Sequence, residues 1–485
     1  MKKNYYITTT LPYVNAKPHI GHALEFVRAD VLARWKRTDN FDVFFNTGTD
    51  EHGQKIFDSA LQKKISPQEY VDTNSNYFRI LLRDLNISNT NFIRTTDLNH
   101  IETAQEFWKI VKENGYIYKK KYISKYCVGC ELEKTDSELI NDKCQDHPNQ
   151  DIQSIDEENY FFKFSAFQEK LLSLYRQNTN FVIPEIRKNE IYSFVSRGLK
   201  DFSISRLKSK FSWGVSVPDD NDHVMYVWFD ALTSYLSTLG WPKNKDNFEK
   251  YWVHGTPTQY CGQDNLRQQA AMWQAMLMAA EIQNSDKIII NGFVTGEGGI
   301  KMSKSIGNVI DPIILQKWYG QDAVRYYLLR HIHPFNGSPI TYTSFHNAYI
   351  GNLVNGLGNL TARLMTLSQK HLDTVDLKLV EKNHIFEQYM NEFRFDLAMD
   401  FIWEKISLLD KEISVTEPFK KIKTDPITAK EEINNLVSRL FGVAESLEIF
   451  LPKTSSIIKD AIINNQNPEI LFKRVDQIVI EDLLQ

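Results

Sequence analysis

The chain has 485 residues, 42% hydrophobic and 24% charged, which suits about three globular domains and excludes a disordered or collagen-like polypeptide. Its 57 Lys and Arg against 61 Asp and Glu give a net charge of −4, so no bulk positive field draws a polyanion to it. Residues 341–485 are acidic too, with 16 Lys and Arg against 21 Asp and Glu, so any nucleic acid bound there must be held by local groups.

In chain order, residues 5–10 are β-rich and lead to Pro12. A helical period through Leu24, Val27, Val31, Leu32 and Trp35 follows. A short strand at 43–46 precedes helical stretches over 54–64 and 67–85. Another strand, at 92–95, precedes a helix that Gly115 stops. This βαβα order predicts a parallel sheet covered by helices. From 116 the texture changes. Tyr116, Tyr118, Tyr122 and the lysines at 119–121 suggest a hairpin, followed by a cysteine cluster and a polar stretch at 142–158. Strands are expected again at 225–228 and 287–291, with a helix over 264–280 between them. From 345 onward the periods are almost all helical, broken near Pro418, Pro426 and Pro452. The implied parts are 1–115, an insertion at 116–225, a resumed α/β part at 226–344 and an all-α end at 345–485.

Residues 5–10 are too short and polar for the core of a signal peptide, and no run of about 18 apolar residues could span a membrane. Four cysteines make no disulfide framework; their clustering points to metal in a reducing compartment, so a cytoplasmic protein is expected. Cys127-Val128-Gly129-Cys130 and Cys144-Gln145-Asp146-His147 are separated by 13 residues, a spacing that fits a tetrahedral structural Zn²⁺ site with all four positions closed. Cys261 stands apart and reads as a buried free thiol.

Pro18-His19-Ile20-Gly21-His22 sits after a strand and loop, where a helix begins. A helix N-terminus offers free N–H groups and a positive dipole end to a phosphate, Gly21 permits close approach, and two imidazoles can donate to a phosphoryl transition state. Alone, the tetrapeptide could equally be a pair of partly exposed helix-start histidines. Lys301-Met302-Ser303-Lys304-Ser305 lies between Gly296-Glu297-Gly298-Gly299 and Gly307, which implies a loop whose lysines can close on a triphosphate. Alone, it could be a solvated basic loop.

Together, in this order and context, the two stretches resemble the HIGH and KMSKS motifs of class I aminoacyl-tRNA synthetases. Ser203-Ile204-Ser205-Arg206 with the stretch 213–218, and Tyr226-Val227-Trp228-Phe229-Asp230-Ala231, resemble motifs of the subclass that handles aliphatic and sulfur amino acids. Only 278 residues separate His22 from Lys301, too few for the long editing insertion of the valine, isoleucine and leucine enzymes. The stretches 10–15 (Thr-Leu-Pro-Tyr-Val-Asn) and 48–53 (Gly-Thr-Asp-Glu-His-Gly) are similar to those of the methionyl-tRNA synthetase family.

That resemblance covers nearly the whole chain. It implies a Rossmann-like, nucleotide-binding parallel-sheet catalytic domain with a zinc-knuckle insertion, followed by an anticodon-binding helical bundle. It implies ATP with Mg²⁺, L-methionine and methionine tRNA, both initiator and elongator, as partners, and one structural Zn²⁺ held by Cys127, Cys130, Cys144 and His147. His19, His22, Lys301 and Lys304 would be catalytic; these four, with Gly21 and the ribose acceptor Asp264, would bind ATP. Asp50 would meet the methionine amino group, and Leu11, Tyr13, Trp228, Ala231, Tyr235, Gln269 and Trp273 would surround the side chain, since polarizable sulfur favours aromatic edges. Here the chain departs from the family stretch GKDILRFHxxxWPAML: Gln269 replaces the usual histidine, Gln268 the phenylalanine and Gln274 the proline. Asn359 and Arg363, four apart on one helix face, would read the anticodon with Phe419, which stands where the family has tryptophan. The chain stops without an added basic or oligonucleotide-binding domain, so a monomer is expected. The rivals are a cysteinyl enzyme, a free-standing nucleotidyltransferase and a synthetase-like RNA-binding protein.

Overall fold

The computed structural model describes residues 2–130, 132–134, 138–210, 212–300, 302, 309–378 and 383–476. They pack as two compact units, one built from 2–17, 36–80 and 88–291, the other from 18–35, 81–87 and 292–476. Among the described residues, no helix is long and apolar enough to cross a membrane.

The elements open with β1 (Asn4–Thr9), α1 (Ile20–Thr38), β2 (Asp42–Thr49), α2 (Gln54–Gln62), α3 (Pro67–Asp84), β3 (Asn91–Arg94) and α4 (Leu98–Glu113), close to the expected alternation. β4 (Ile117–Cys127) and β5 (Gln153–Phe162) then pair antiparallel, from Ile117 opposite Phe162 to Tyr126 opposite Gln153. The hairpin suggested near 120 is therefore one arm of a long ribbon, and the cysteine cluster sits in the connection at its far end. Tyr118 and Tyr122 share a face by the two-residue strand period, and both rings pack on Phe161, at 5.8 and 4.7 Å between centroids.

Next come α5 (Gln168–Gln177), β6 (Val182–Ile183), α6 (Glu185–Ser196), β7 (His223–Met225), α7 (Val227–Ala231) and α8 (Ser234–Ser237). The strand expected at 225–228 ends at Met225. The Tyr226 carbonyl accepts from the N–H groups of Phe229 and Asp230, at 3.0 and 3.2 Å, and so starts α7. The β-branched and aromatic run 224–227 carries no local signal for that turn; tertiary contacts override propensity. β8 (Pro257–Gly262), α9 (Trp273–Ala279) and β9 (Lys287–Asn291) complete the unit. The helix expected over 264–280 begins as a tight turn at Gln263–Asn265 and a wider one at Gln268–Met272 before α9.

Six strands form one parallel sheet in the order β3-β2-β1-β8-β9-β6. β6 joins it from within the span 116–225. Runs such as 5–7 and 288–290 are apolar throughout because both of their faces are buried. Phe107, Trp108 and Val111 of α4 pack with Tyr6, Phe229, Trp252 and Trp273 in the core of this unit. Gly48 lets β2 close on β3: a Cβ there would lie 1.8 Å from the Ile93 carbonyl oxygen. Strand order reverses between β1 and β8, and their C-terminal ends flank the crevice where open parallel sheets hold ligands. The N–H of Thr10 donates to the Tyr260 carbonyl across that point at 3.3 Å.

The second unit is almost wholly helical. With α1 it contains α10 (Pro312–Tyr319), α11 (Gln321–Arg330), α12 (Tyr342–Ala348), α13 (Asn359–His371), α14 (His384–Asn391), α15 (Phe395–Thr416), α16 (Pro418–Lys421), α17 (Pro426–Leu447) and α18 (Pro452–Ile463). Two fully buried arginines join these helices. Arg325 of α11 donates to the carbonyls of Leu85, Ile449 and Phe450 and pairs with Asp30 of α1 at 2.8 Å. Arg28 of α1 donates to the carbonyls of Leu328, Ile332 and Pro334. Arg34 also donates to Asp30 at 2.8 Å, so loss of Arg325 leaves the carboxylate one partner and costs less than about 3–5 kcal/mol, the figure for a wholly unpaired buried charge. Arg325→Met is therefore expected to move the loss of helical circular dichroism to clearly lower urea; an unchanged midpoint would show that the pair contributes nothing net.

Candidate active site and metal centre

His19 closes the loop before α1, and Gly21 and His22 lie in its first turn. The free N–H groups expected here are already taken. The N–H of His19 donates to His22 Nδ1 at 3.2 Å and that of Gly21 to His19 Nδ1 at 3.1 Å. The His22 and Ala23 N–H groups turn to the His19 carbonyl, and that of Ile20 to the Ile310 carbonyl at 3.2 Å. The imidazoles themselves cap the helix, which leaves no bare backbone N–H in this turn to receive an anion. Because both Nδ1 atoms accept, each neutral ring carries its proton on Nε2. The rings stack 3.8 Å apart. Burial, and then the neighbouring His19, hold His22 well below the ordinary imidazole range, so it is a neutral donor near pH 7. The Ile20–Ile310 bond ties this turn to the chain just past 303–308. Lys301 and Lys304 lie outside the described residues.

In the first unit, the end of β1 crosses the end of β2. Tyr13 bridges to Asp50; the Asp50 N–H donates to the Pro12 carbonyl at 2.9 Å and the Val14 N–H to the Asp50 carbonyl at 3.1 Å. Leu11 and Asp50 are buried and Tyr13 half-buried. Beside Asp50 sits Glu51, which sequence reading did not single out. Its buried carboxylate accepts from Thr49 at 2.6 Å, Arg94 at 2.7 Å and Thr96, and its carbonyl accepts from the Trp213 indole at 2.6 Å. These bonds fix the loop that carries Asp50. Glu51 lies inside the 48–53 stretch that carries the family resemblance, but a carboxylate at a strand end is ordinarily solvated, and the resemblance gives a role there to Asp50 only.

A second cluster holds Tyr235, Gln269 and Trp273. The Gln269 amide donates to the Tyr235 hydroxyl at 2.7 Å, and the Tyr235 and Trp273 rings meet edge-on at 5.8 Å. Trp273 is fully buried and backs Tyr235. Gln274 donates to the Gln269 carbonyl at 2.9 Å and to Ser285, so the position of the family's proline is occupied by a hydrogen-bonded strut. Trp228 and Ala231 share α7, Trp228 half-buried and Ala231 buried. Trp228 Nε1, Gln268 Oε1, Gln269 Oε1 and Trp273 Nε1 are buried without a hydrogen-bond partner among the described residues. Such atoms also occur at Trp108, Trp403 and other places in the fold, so they are compatible with a ligand here without singling the place out. Asp264 is exposed in the turn that follows β8, at the reversal of strand order.

Cys127, Cys130, Cys144 and His147 converge, their ligand atoms all within 4.8 Å of one another. Cys130 Sγ lies 3.4 Å from Cys144 Sγ and 3.2 Å from His147 Nδ1. Three thiols and an imidazole at such spacing fit a tetrahedral zinc ion with no open position. Gly129 makes the closure possible, because a Cβ there would lie 2.5 Å from the His147 ring. Cys261 is buried, as expected.

In the second unit, Asn359 is exposed at the start of α13, and Arg363, one turn on, pairs with Asp410 of α15. Phe419 is 42% exposed in α16. Before it, Glu417 takes the left-handed conformation at φ 44°, which ends α15 and swings the chain into α16; Lys420 holds the Glu417 carboxylate at 2.7 Å.

The family model described as tRNA synthetases class I (M) matches residues 5–151 and 129–365. The chain is 40% identical to the methionine–tRNA ligase of Caldanaerobacter subterraneus subsp. tengcongensis, over 94% of this chain and 73% of that protein. It is 38% identical to the methionine–tRNA ligase of Rickettsia bellii, over 98% of this chain and 95% of that one. A solved structure of Mycobacterium tuberculosis methionyl-tRNA synthetase in complex with methionyl-adenylate matches with a TM-score of 0.87 at 33% identity, covering 98% of this chain and 99% of that one. With a capped histidine turn, a closed thiol–imidazole cluster and likeness along nearly its whole length, the chain belongs to the methionyl-tRNA synthetase family of class I.

Proposed function

We infer that this chain charges methionine tRNA in two steps. A carboxylate oxygen of methionine attacks the α-phosphorus of ATP and pyrophosphate leaves; the methionyl group then passes from AMP to the hydroxyl at the 3′ end of the tRNA. The observation that carries this is the 38% identity to a methionine–tRNA ligase over 98% of this chain and 95% of the relative. ATP enters with Mg²⁺ as substrate. The tRNA partners are the initiator and elongator methionine tRNAs, and the enzyme works as a cytoplasmic monomer.

The residue roles in this reading are as follows. His19 and His22 donate Nε2–H groups to oxygens of the reacting phosphate, a role the accepting Nδ1 atoms support. Lys304 neutralises charge on the departing pyrophosphate, and Lys301 supports ATP binding and loop closure. Phosphoryl transfer is mostly positioning and electrostatics, so no general base is needed. Gly21 gives the nucleotide close approach, and Asp264 accepts from the ribose. Asp50 takes the amino group of methionine. Leu11, Tyr13, Trp228, Ala231, Tyr235, Gln269 and Trp273 enclose its side chain, a reading compatible with the unpartnered polar atoms on three of these residues. Amino-acid-dependent ATP–pyrophosphate exchange tests the whole: of the twenty standard amino acids methionine alone should support it, and exchange with cysteine would overturn it. Lys304→Ala should slow exchange about 10²–10³-fold with little change in methionine binding, the usual loss for one donor to developing charge.

Cys127, Cys130, Cys144 and His147 would hold a structural zinc, which supplies folding free energy rather than an activated water. The purified protein should carry close to one zinc per chain, measured by elemental analysis. Cys127→Ser should lose it together with the native melting transition of the ribbon; unaltered melting after zinc loss would remove the structural role.

Asn359, Arg363 and Phe419 would read the anticodon. Arg363 is half-exposed and pairs with an exposed Asp410, and such surface pairs are worth about 0–1 kcal/mol. A bidentate base contact is worth about 1–3 kcal/mol, so the guanidinium can leave Asp410 for a base. Arg363→Ala should leave methionine–ATP exchange intact and lower kcat/KM for tRNA by about tenfold or more. Unchanged charging kinetics would place anticodon reading elsewhere.

A further inference from the structure

Asp230 lies in α7 between Trp228 and Ala231, and its side chain is fully buried. Two imidazoles flank it. His52 Nδ1 donates to one carboxylate oxygen at 2.6 Å, and His100 Nε2 donates to the other at 2.7 Å; both rings are buried. The far nitrogen of His100 lies 3.1 Å from the hydroxyl of Ser237, the last residue of α8, which also carries Tyr235. His52 belongs to the loop of Asp50, and its ring meets Trp213, whose indole donates to Glu51. One hydrogen-bonded chain, His52–Asp230–His100–Ser237, therefore runs through α4 and links it to three stretches that carry assigned residues. The first carries the acid assigned to the methionine amino group, the second Trp228 and Ala231, and the third Tyr235.

A carboxylate so buried needs strong partners to stay charged. Burial pushes the Asp230 carboxyl up, but His52 and His100 outweigh it and hold the group down at about 2. The group is thus an anion at neutral pH, and each of its oxygens has a directed donor. Such a pairing is sensitive to distance and angle, unlike the apolar packing around it.

We propose that His52, Asp230 and His100 are positioning residues of the amino-acid site, holding the amino-end anchor and the thioether-end aromatics at a fixed separation and so setting the side-chain length the enzyme accepts. This rests on the assignment of Asp50, Trp228 and Tyr235 to methionine. The network touches no reacting atom. Loosening it should weaken recognition of the amino acid without touching that of ATP.

The test is ATP–pyrophosphate exchange with methionine, norleucine and ethionine, alongside thermal melting. Asp230→Asn keeps the shape and removes the charge. It should raise KM for methionine about tenfold, the worth of a charged hydrogen bond, with KM for ATP within about twofold of the parent. Preference for methionine over ethionine should fall in parallel. His100→Gln retains an N–H where Nε2 stands and should stay near the parent, whereas His100→Leu should behave like Asp230→Asn. Ser237→Ala removes only the last link and gives a milder shift if a core variant fails to fold. Trp228→Ala separates the two ideas. If it leaves KM for methionine unchanged, the pocket assignment falls and the positioning role with it. If it raises that KM while Asp230→Asn and Ser237→Ala do not, the positioning role alone is overturned. A parallel rise in both substrate KM values, or His100→Gln as impaired as His100→Leu, would also overturn it by showing a merely structural cluster.

Discussion

The pair of Asp30 and Arg325 is the constraint on which the second unit depends. Both groups are fully buried, and Arg34 holds the same Asp30 carboxylate at 2.8 Å, so these charges are held as a cluster of three. Arg325 spends its remaining donors on carbonyls near 85 and 450, so one guanidinium joins α1, the end of α3 and the segment between α17 and α18. Arg28, two residues before Asp30 on α1, likewise spends its donors on carbonyls, those of Leu328, Ile332 and Pro334. The helix that begins with the histidine turn is therefore held by directed bonds, and cannot slide as an apolar helix can. That rigidity suits the role proposed for the two histidines, since small misplacements of a catalytic group are costly.

The same logic recurs in the first unit on a smaller scale. Glu51, wrapped by Thr49, Arg94 and Thr96, fixes the loop beside Asp50. Gln274, braced by Ser285 and Asn284, holds the backbone of Gln269. Each is a buried polar group fully used, and each stands behind a residue assigned to substrate. Full satisfaction of these supports contrasts with the unpartnered atoms of Trp228 and Gln269 in front of them. Buried polar atoms without a partner occur elsewhere in the fold too, at Trp108 and Trp403 among others, so it is the contrast between support and front within this one neighbourhood that fits a ligand site.

Much of this was legible in the sequence because the period and the chemistry agreed. The strands at 4–9, 42–49 and 287–291 are apolar runs bounded by breakers, and 127–147 has metal spacing. What was not legible came from long-range geometry. Nothing local turns the chain at Tyr226, because the run 224–227 has strand propensity and only its tertiary partners bend it. β6, two residues long, joins the sheet through β9 alone and has no period of its own. The expectation of bare N–H groups at α1 failed for a more instructive reason. Histidine was expected to face a phosphate beside free N–H groups, and what the structure shows is histidine capping the helix through Nδ1, which leaves Nε2 for the proposed role. Asp230 and His100 stand 130 residues apart, a separation that no motif spans.

The ion pair of Arg363 with Asp410 has a consequence for how the helical end responds to its ionic surroundings. A cation that already has a protein counter-charge brings little new positive potential to a polyanion, and the region around it is acidic overall. Few condensed ions would then be expelled when RNA docks there, and the entropy of their release, which drives most protein–nucleic acid association, would be a minor contribution. Discrimination at this end would rest on shape and base edges, and would hold nearly constant across the range of salt in which a basic RNA-binding surface loses its grip.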